Sequence, residues 1–302
     1  MDRSGGRQYD RRSDHGTDRQ TDHQGPRMRQ TTFPEAMRCV VLIGIDFDGP
    51  SHEVGRGIAP LGKHSWGNYS ARCGVPRHME MLDRHNIKGT FFVPGYDAER
   101  HPATIEDIDR NGFEVAAHGY LHEAWELEAA EEEALLRKTD GILRDIIKKP
   151  VLGWRSPSGR KSDKTMKVLK SLGYIYDSSD KDYDRPYRLR FGKGQDDVIV
   201  ELPNNTYSLD DFPFYKFSYT PPSEVLAQWK TEFDAIYRND RFFVMSLHPR
   251  AGWGSGTPSR TKALSDLIAY MKTHDGVQFM ESRAFAQWCL DNSNNLEEVS
   301  FA

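Results

Sequence analysis

Two histidines that are four residues apart, His118 and His122, directly follow a short apolar run at 115–117. On a helical turn this spacing places both imidazoles on one face, at a separation that a single metal ion can bridge. Two histidines do not complete a site, because a protein site for a divalent ion uses at least a third ligand. The pair therefore directs attention to a carboxylate elsewhere in the chain.

Two aspartates, Asp46 and Asp48, are the best candidates for that carboxylate. They follow 39–45, the first convincing strand of the chain. Two acids at the mouth of a buried strand are unfavourable unless a cation or a metal ion neutralises them. Asp48 together with His118 and His122 would form a site of two histidines and one carboxylate that leaves coordination positions open.

The elements that would position these residues are apolar strands that alternate with amphipathic helices. Strands are predicted at 39–45, 88–93, 113–117, 150–154, 173–176, 198–202, 242–247 and 277–280. Helices are predicted at 71–85, 102–111, 126–147, 162–172, 223–237, 259–273 and 282–290. This alternation indicates a parallel sheet covered by helices.

Polar residues lie at or just after the ends of several predicted strands. They are Asp46, Asp48, His118, Arg155, Asp177 and His248. Sites assemble at the C-terminal edge of the strands in a closed α/β barrel. An open doubly wound sheet is less well supported, because no glycine-rich phosphate turn follows the first strand. We therefore predict an α/β fold, a distorted (β/α) barrel.

The predicted barrel is a single domain at 36–302, preceded by a disordered polar tail at 1–35. Residues 1–30 contain almost no aliphatic side chain, so they cannot bury enough surface to offset their ordering entropy. Residues 51–68 are too long for an ordinary connection and are expected to cover a site. The polar segment 180–197 is interpreted as a surface excursion, and 203–219 as a loop.

Composition excludes several classes of function. The net charge of −4 and the lack of a basic stripe argue against a nucleic-acid partner. No apolar run approaches the length of a membrane span, so no membrane association is expected. The three cysteines predict no disulfide framework and agree with a reducing compartment. Without a signal peptide at the N-terminus, we expect a cytoplasmic protein.

Five motifs occur in one order along the chain. They are the Asp46/Asp48 pair, Thr90-Phe91-Phe92, His118 with His122, Arg155-Ser156-Pro157 and Leu247-His248-Pro249. In this order they resemble the polysaccharide deacetylase family, also called the NodB-homology domain or carbohydrate esterase family 4. The resemblance runs over 40–290, which is nearly all of the predicted domain.

The resemblance implies a distorted (β/α) barrel and one divalent metal ion per chain, usually zinc, with cobalt, nickel or iron as alternatives. It implies that Asp48, His118 and His122 bind the metal. Asp46 would be the general base and Arg155 would hold it in place.

The remaining implied roles concern the leaving group and the oxyanion. His248 would be the general acid that protonates the departing nitrogen, because an amide anion is a very poor leaving group. The backbone N–H of Ser158 would lie near the developing oxyanion and supplement the metal. One acid, one base and one metal are the minimum set for this hydrolysis.

The chain departs from the usual pattern of the family in three places. Phe47 separates two acids that are commonly adjacent, and Ser158 stands where an aromatic residue is common. Glu201-Leu202-Pro203 followed by Asp210-Asp211-Phe212-Pro213 resembles the subgroup of allantoinase-like enzymes, cyclic imide hydrolases and intracellular peptidoglycan deacetylase-like proteins. Members of that subgroup tend to be tetrameric, so a homo-oligomer is expected.

Three functional hypotheses follow. The first is a metal-dependent hydrolase of non-peptide carbon–nitrogen bonds that removes N-acetyl groups from a sugar or a peptidoglycan fragment. The second is an amidohydrolase for a small cyclic imide or an allantoin-type substrate. The third is a non-catalytic carbohydrate-binding barrel, which would be expected to lack Asp46, His248 or a metal ligand, and none of these is missing.

Less specific interpretations stand beside these roles. Asp46 and Asp48 could cap a helix, His248 could be a packed neutral histidine, and Arg155 could pair with another acid. Asp177 either supports the site or makes a structural hydrogen bond. The aromatic residues considered for a substrate pocket are Trp66, Tyr96, Trp125 and Phe214, and the histidines given no role are His52, His64 and His101.

Overall fold

The computed structural model of the chain describes residues 33–34, 36–204, 208–239 and 241–300. The predicted tail at 1–35 lies outside these ranges except for 33–34, so its disorder stays a prediction. Phe33 is buried, and its ring stacks on Phe285 and Trp288 with centroids 6.1 and 5.7 Å apart.

The strands belong to one sheet. They are β1 (Cys39–Asp46), β2 (Thr90–Val93), β3 (Glu114–Ala117), β4 (Gly153–Trp154), β5 (Tyr176–Asp177), β6 (Tyr187–Arg190), β7 (Val198–Glu201), β8 (Phe242–Leu247), β9 (Val277–Met280) and β10 (Glu298–Ser300). The order across the sheet is β10-β6-β7-β5-β4-β3-β2-β1-β8, and β9 also pairs with β1. All the pairs are parallel except β6 with β7.

The helices lie between the strands. They are α1 (Ser51–Val54), α2 (Val75–Arg84), α3 (Gly95–Arg100), α4 (Pro102–Arg110), α5 (Ala129–Ile147), α6 (Asp163–Ser171), α7 (Asp211–Lys216), α8 (Pro222–Arg238), α9 (Pro258–Met271) and α10 (Ser282–Asp291). Shorter turns occur at Gly62–Gly67, Ser70–Gly74, Pro157–Gly159 and Ser293–Asn295. Within the described ranges, no helix is both long enough and apolar enough to cross a membrane.

The sheet curves into the predicted distorted barrel. After β7, the chain returns to the opposite side of the sheet, where Asp210 forms a bridge with Ser246 of β8. Because successive side chains of a strand point to opposite faces, β1 serves two cores. One face of β1 packs under the helices and carries Val41, Ile43 and Ile45. The other face points into the barrel and carries Val40 and Leu42.

The interior of the barrel is apolar at one end and polar at the other. At the apolar end, side chains from six strands meet, namely β1, β2, β3, β5, β7 and β8. Phe285 of α10 packs among them at the N-terminal end of the strands. The next two interior positions of β1, Gly44 and Asp46, lie at the opposite, polar end. The fold thus gathers the predicted site residues where the parallel strands finish.

Three local predictions were wrong. His118 and His122 do not lie on a helix, because the chain from His118 onward is irregular, with positive φ at Gly119 (+66°) and His122 (+55°). The excursion 180–197 contains β6, which alternates buried and half-buried side chains as a strand with one face on the core does. The loop 203–219 contains α7, which begins where the Asp210 side chain accepts a hydrogen bond from the Phe212 N–H.

The carboxyl group of Glu114 on β3 is buried at the apolar end of the barrel. It accepts hydrogen bonds from the Thr90 hydroxyl (2.7 Å), the Tyr176 hydroxyl (2.8 Å) and the Arg283 backbone N–H (2.8 Å). Burial raises its pKa to about 7, against the opposing effect of these hydrogen bonds. In the folded chain this carboxyl group therefore holds its proton more tightly than in the unfolded chain.

We predict that Glu114 makes the stability of the domain depend on pH. Its stabilising contribution is fully present below about pH 4.5 and is lost as the pH rises through about 7. Glu114→Gln removes the titration, so wild type should lose roughly 3 kcal/mol relative to this variant over that interval. Urea unfolding at several pH values measures the difference. Glu106→Gln, at an exposed position of α4, is the control, and equal pH profiles for Glu114→Gln and wild type would contradict the prediction.

Candidate metal centre and active site

The ends of four strands bring the predicted site residues to one edge of the barrel. β1 ends at Asp46, and His118, Arg155 and His248 directly follow β3, β4 and β8. The C-termini of parallel strands meet at the same edge, so residues distant in sequence become neighbours there. All six predicted site residues line a single cavity of about 290 Å³, namely Asp46, Asp48, His118, His122, Arg155 and His248.

The three predicted metal ligands converge. His118 Nε2 lies 3.6 Å from Asp48 Oδ1, and His122 Nε2 lies 3.4 Å from Asp48 Oδ2. One ligand atom from each residue lies within 4.8 Å of the others, and all three side chains are buried. The arrangement is that of a two-histidine, one-carboxylate site.

The loop after β3 sets the orientation of both imidazoles. His118 Nδ1 lies 2.8 Å from the Arg155 carbonyl oxygen, so an Nδ1–H donor there leaves the Nε2 lone pair facing Asp48. The Glu123 carboxylate accepts the backbone N–H groups of Tyr120 and Leu121 and so braces the turn that carries His122. The same pair of histidines is thus presented by a braced loop rather than by a helix.

The chemistry of this donor set fits a divalent ion. Burial lowers the pKa of His118 to about 4 and that of His122 to about 3, so both imidazoles are neutral at pH 7. Burial also raises the pKa of Asp48, although the charge of His248 opposes it. Asp48 Oδ1 is buried and has no hydrogen-bond partner among the described residues. Neutral imidazoles beside an unsatisfied buried carboxylate are the ligands that Zn²⁺ and similar ions take.

Arg155 forms an ion pair with the second aspartate, Asp46. Its Nη1 atom lies 2.7 Å from Asp46 Oδ1, and both side chains are buried. The Nε and Nη2 groups donate to the carbonyl oxygen and hydroxyl of Ser178 at 3.1 and 3.0 Å, and the guanidinium lies over the ring of Phe92. Burial would raise the pKa of Asp46, but the charges of Arg155 and His248 help to outweigh it, and the pKa is lowered. Asp46 is therefore ionised.

Gly44 makes room for that guanidinium inside the barrel. A Cβ atom at this position would lie 2.7 and 2.8 Å from Arg155 Nη1 and Nη2, and 2.9 Å from the Met245 carbonyl oxygen. Since real Cβ atoms do not approach other atoms this closely, any side chain here would displace Arg155. The glycine two residues before Asp46 is therefore part of the site.

His248 is held by Asp211, the first residue of α7. The Nδ1 atom lies 2.6 Å from Asp211 Oδ1, and the His248 backbone N–H donates to Asp211 Oδ2 at 2.9 Å. Burial lowers the pKa of His248, but the Asp211 carboxylate outweighs burial and raises it to about 10. The imidazolium is thus the stable form at pH 7, and Nε2 faces Asp46 Oδ2 at 3.9 Å.

Ser158 lies in the cavity wall in a strained backbone conformation. Its φ of +58° falls in the left-handed region, which is unfavourable for a residue other than glycine. The neighbouring Ser156 N–H is already committed to the Ser179 hydroxyl at 2.8 Å. The proposed contact of the Ser158 N–H with an oxyanion stays a prediction.

Several cavity residues were missed. His52 was given no role, yet it lines the cavity, with its ring 5.0 Å from that of His122 and 5.7 Å from that of Trp253. Arg56 and Lys181 also line it, as do Phe212 and Trp253. The only signal for His52 and Arg56 was the unusual length of 51–68.

Other candidates are not in the cavity wall. Of the aromatic residues considered, none belongs to its lining, namely Trp66, Tyr96, Trp125 and Phe214. Asp177 does not line it either and instead pairs with Lys161 at 2.5 Å, beside Glu201. An aromatic side chain, or a polar residue at the end of a strand, therefore predicts a place in the cavity wall less well than the paired motifs do.

Comparison with known proteins identifies relatives of this chain. The sequence profile of the family described as polysaccharide deacetylase matches residues 62–176. A peptidoglycan deacetylase of Helicobacter pylori is 28% identical over 279 residues, which cover 81% of this chain and 94% of that protein.

Solved structures extend the comparison to the fold. The crystal structure of a protein from Mycobacterium smegmatis, provisionally named a polysaccharide deacetylase, is 31% identical with a TM-score of 0.81, covering 90% of this chain and 96% of that one. The structure of Puue allantoinase has a TM-score of 0.75 at 22% identity, over 92% of this chain and 98% of that one, and so shows the shared fold alone. The chain belongs to the polysaccharide deacetylase family and is a hydrolase of carbon–nitrogen bonds other than peptide bonds.

Proposed function

We propose that the protein is a metal-dependent N-deacetylase that removes acetyl groups from an amino sugar or a peptidoglycan fragment. The observation that carries the proposal is the convergence of Asp48, His118 and His122 in the cavity that also holds Asp46 and His248. A general base, a general acid and a metal-ligand set therefore face the same small volume. This combination is what hydrolysis of an unactivated amide requires.

Asp48, His118 and His122 would hold one divalent ion, and zinc fits their donor atoms best. A bound ion would polarise the amide carbonyl and acidify the attacking water. The neutral state of both histidines supports this role, because protonated imidazoles cannot act as ligands.

Asp46 would act as the general base. The lowered pKa of Asp46 keeps its carboxylate ionised and able to accept the proton of the attacking water. Arg155 engages only Oδ1, while Oδ2 lies on the side of His248. The ion pair thus fixes the carboxylate without occupying both of its oxygens.

His248 would act as the general acid. The Asp211 carboxylate binds Nδ1 and keeps the imidazole charged, which leaves the Nε2–H free to protonate the departing nitrogen. At neutral pH Asp46 is deprotonated and His248 is protonated, which are the states that a base and an acid acting in one cycle need. The environments that shift their pKa values in opposite directions support this division of roles.

A small cyclic imide or an allantoin-type ureide is the second candidate substrate. The cavity of about 290 Å³ is at the lower end of the range for ligand sites, and a single small ring would fit in it. We also propose a cytoplasmic location and a homo-oligomer, which the family resemblance implies is a tetramer. A non-catalytic carbohydrate-binding barrel is the least supported alternative, because every residue of the predicted site is in place.

We predict that the purified protein binds about one divalent ion per chain and that Asp48→Asn and His122→Ala lose it. Both variants remove one of three ligands, so the remaining two hold the ion only weakly. Elemental analysis after dialysis measures the metal content. His64→Ala, at a half-buried histidine outside the cavity, is the control and should keep the ion. Unchanged metal in His122→Ala, or no uptake by wild type after reconstitution, would show that the proposed centre is wrong.

We predict that wild type releases acetate from acetylated chitooligosaccharides or peptidoglycan fragments and that Asp46→Asn lowers kcat by about 10²–10⁴. Metal content should stay near wild type in Asp46→Asn, which separates the base from the ligands. The same enzyme is assayed on succinimide and hydantoin. Hydrolysis of these rings without any release of acetate would replace the deacetylase proposal by the imide alternative.

We predict that Asp211→Asn lowers amide hydrolysis by about 10²-fold or more, because His248 then loses the carboxylate that keeps it charged. Hydrolysis of 4-nitrophenyl acetate should fall much less, since its leaving group needs no proton. The ratio of the two rates is the measurement. Asp234→Asn, which removes a carboxylate beside the surface residue His274, serves as control. Equal losses on both substrates would argue against His248 as the acid.

A further inference from the structure

Arg250 is a fully buried arginine two residues after the proposed acid, His248. Its side chain does not line the catalytic cavity and has no part in the proposed chemistry. An arginine stays charged at any pH that a protein meets, so burying it is unfavourable unless its neighbours accept its hydrogen bonds. The groups that accept from Arg250 are therefore the first indication of its role.

The guanidinium of Arg250 binds the turn that carries the proposed metal ligand Asp48. Its Nη1 atom donates to the Gly49 carbonyl oxygen at 3.0 Å and lies 3.3 Å from the Asp48 carbonyl oxygen. The Ser70 hydroxyl also donates to the Asp48 carbonyl oxygen, at 2.8 Å. The chain after β8 thus holds the chain after β1 through the backbone of a proposed ligand.

Asp97 holds the other polar groups of the same turn. Its buried carboxyl group accepts the backbone N–H groups of Gly49 at 3.0 Å and Ser51 at 3.1 Å, and the Ser51 hydroxyl at 2.5 Å. A Cβ atom on Gly49 would lie 2.5 Å from Asp97 Oδ1, so the turn fits closely against this carboxyl group. Asp97 thus fixes the N–H groups of the turn, and Arg250 fixes its carbonyl oxygens.

Glu53 fixes the direction of the Arg250 guanidinium. Its Oε1 atom binds Nη2 of Arg250, and both side chains are buried. The guanidinium also lies over the ring of Trp253, 4.6 Å from its centroid, and that ring contacts the His248 ring, with centroids 4.8 Å apart. One side chain therefore contacts the Asp48 turn, α1 and the cavity wall beside His248.

The ion pair of Arg250 with Glu53 is poorly suited to a purely stabilising role. Arg250 Nε and Glu53 Oε2 are buried and have no hydrogen-bond partner in the part of the chain that the structure describes. A buried ion pair offsets its desolvation only when its remaining polar atoms are also hydrogen-bonded. The pair does, however, aim a planar donor at two carbonyl oxygens and one carboxylate at once, which the single ammonium nitrogen of a lysine would not reproduce.

We propose that Arg250 is a positioning residue that fixes Asp48 for the metal ion from the loop of the proposed acid. The inference rests on the metal centre of the proposed function and adds to it a residue that lies outside the cavity. Replacing the side chains that orient the ligands of a metal typically changes its affinity about 10–100-fold. We therefore expect the ion affinity of the chain to depend on Arg250.

The test measures Zn²⁺ binding by competition with a chromophoric chelator, without any substrate. Arg250→Lys keeps the charge but loses the planar guanidinium, and we expect its Kd for Zn²⁺ to rise about 10–100-fold. Arg250→Met/Glu53→Gln removes both charges, so no buried charge is left unpaired, and its Kd should rise by a similar factor. Arg144→Lys is the matched control and should keep the wild-type Kd. Arg144 likewise joins a carboxylate, that of Asp140 at 2.8 Å, to a backbone carbonyl oxygen, that of Leu172 at 2.7 Å, but far from the metal ligands in the chain and outside the cavity wall.

The visible absorption of bound Co²⁺ gives a second readout, because it depends on the arrangement of the ligands rather than on the stability of the fold. We expect a changed spectrum in both Arg250 variants and a wild-type spectrum in Arg144→Lys. Wild-type Kd values and spectra in both Arg250 variants, or an equal rise of Kd in Arg144→Lys, would overturn the positioning role.

The same measurements separate this inference from the proposed function. A loss of affinity confined to the Arg250 variants would support the positioning role even if no acetate is released from any substrate, in which case the deacetylase proposal alone would fail. Release of acetate by a wild type whose Zn²⁺ affinity does not depend on Arg250 would overturn the positioning role alone. If wild type binds neither Zn²⁺ nor Co²⁺, both proposals fail.

Discussion

The buried ion pair between Asp46 and Arg155 is the interaction on which the site depends. Two charges in a barrel interior are tolerated only when they neutralise each other and their other polar atoms are hydrogen-bonded. Arg155 meets that condition through the carbonyl oxygen and hydroxyl of Ser178. Gly44 leaves the guanidinium its space, so β1, β4 and the chain after β5 are fixed relative to one another by one side chain. Removal of either charge would leave the other buried without a partner.

The residue between the two aspartates, Phe47, is fully buried in the outer core, under the helices, while Asp46 and Asp48 both face the cavity. Asp46 is the last residue of β1, and Asp48 lies in the turn after it, where its N–H donates to the Asp46 carbonyl oxygen at 2.7 Å. Their surroundings shift the pKa values of the two carboxyl groups in opposite directions. Arg155 helps to lower the pKa of Asp46, whereas burial without such a partner raises the pKa of Asp48. One carboxylate is thereby suited to accept a proton and the other to bind a metal ion.

The sequence was sufficient to predict an element or a site residue where its pattern is long or where several motifs occur together. The apolar run of β1 and the ordered motifs predicted the barrel and the residues that meet at its edge. It was insufficient where tertiary contacts override local spacing. His118 and His122 have helical spacing, but Gly119 at positive φ and the Glu123 carboxylate make that stretch a braced loop. The places of His52, Arg56 and Lys181 in the cavity wall could not be predicted, because they depend on neighbours distant in sequence.

The segment after β5 connects parts of the site that the motifs treat as separate. Ser178 holds Arg155, and the Ser179 hydroxyl accepts the Ser156 N–H at the start of the turn that carries Ser158. Beneath it, the Lys161 ammonium is buried among the carboxylates of Asp177, Asp180 and Glu201 at 2.5 to 2.8 Å. Glu201 also accepts the N–H groups of Ser179 and Asp180, so the charge cluster ties this segment to β7. A charge cluster outside the cavity thereby positions both Ser178, which holds Arg155, and the turn that carries Ser158. The geometry of the proposed base, through Arg155, and that of the Ser158 turn are consequently coupled through one short stretch of backbone.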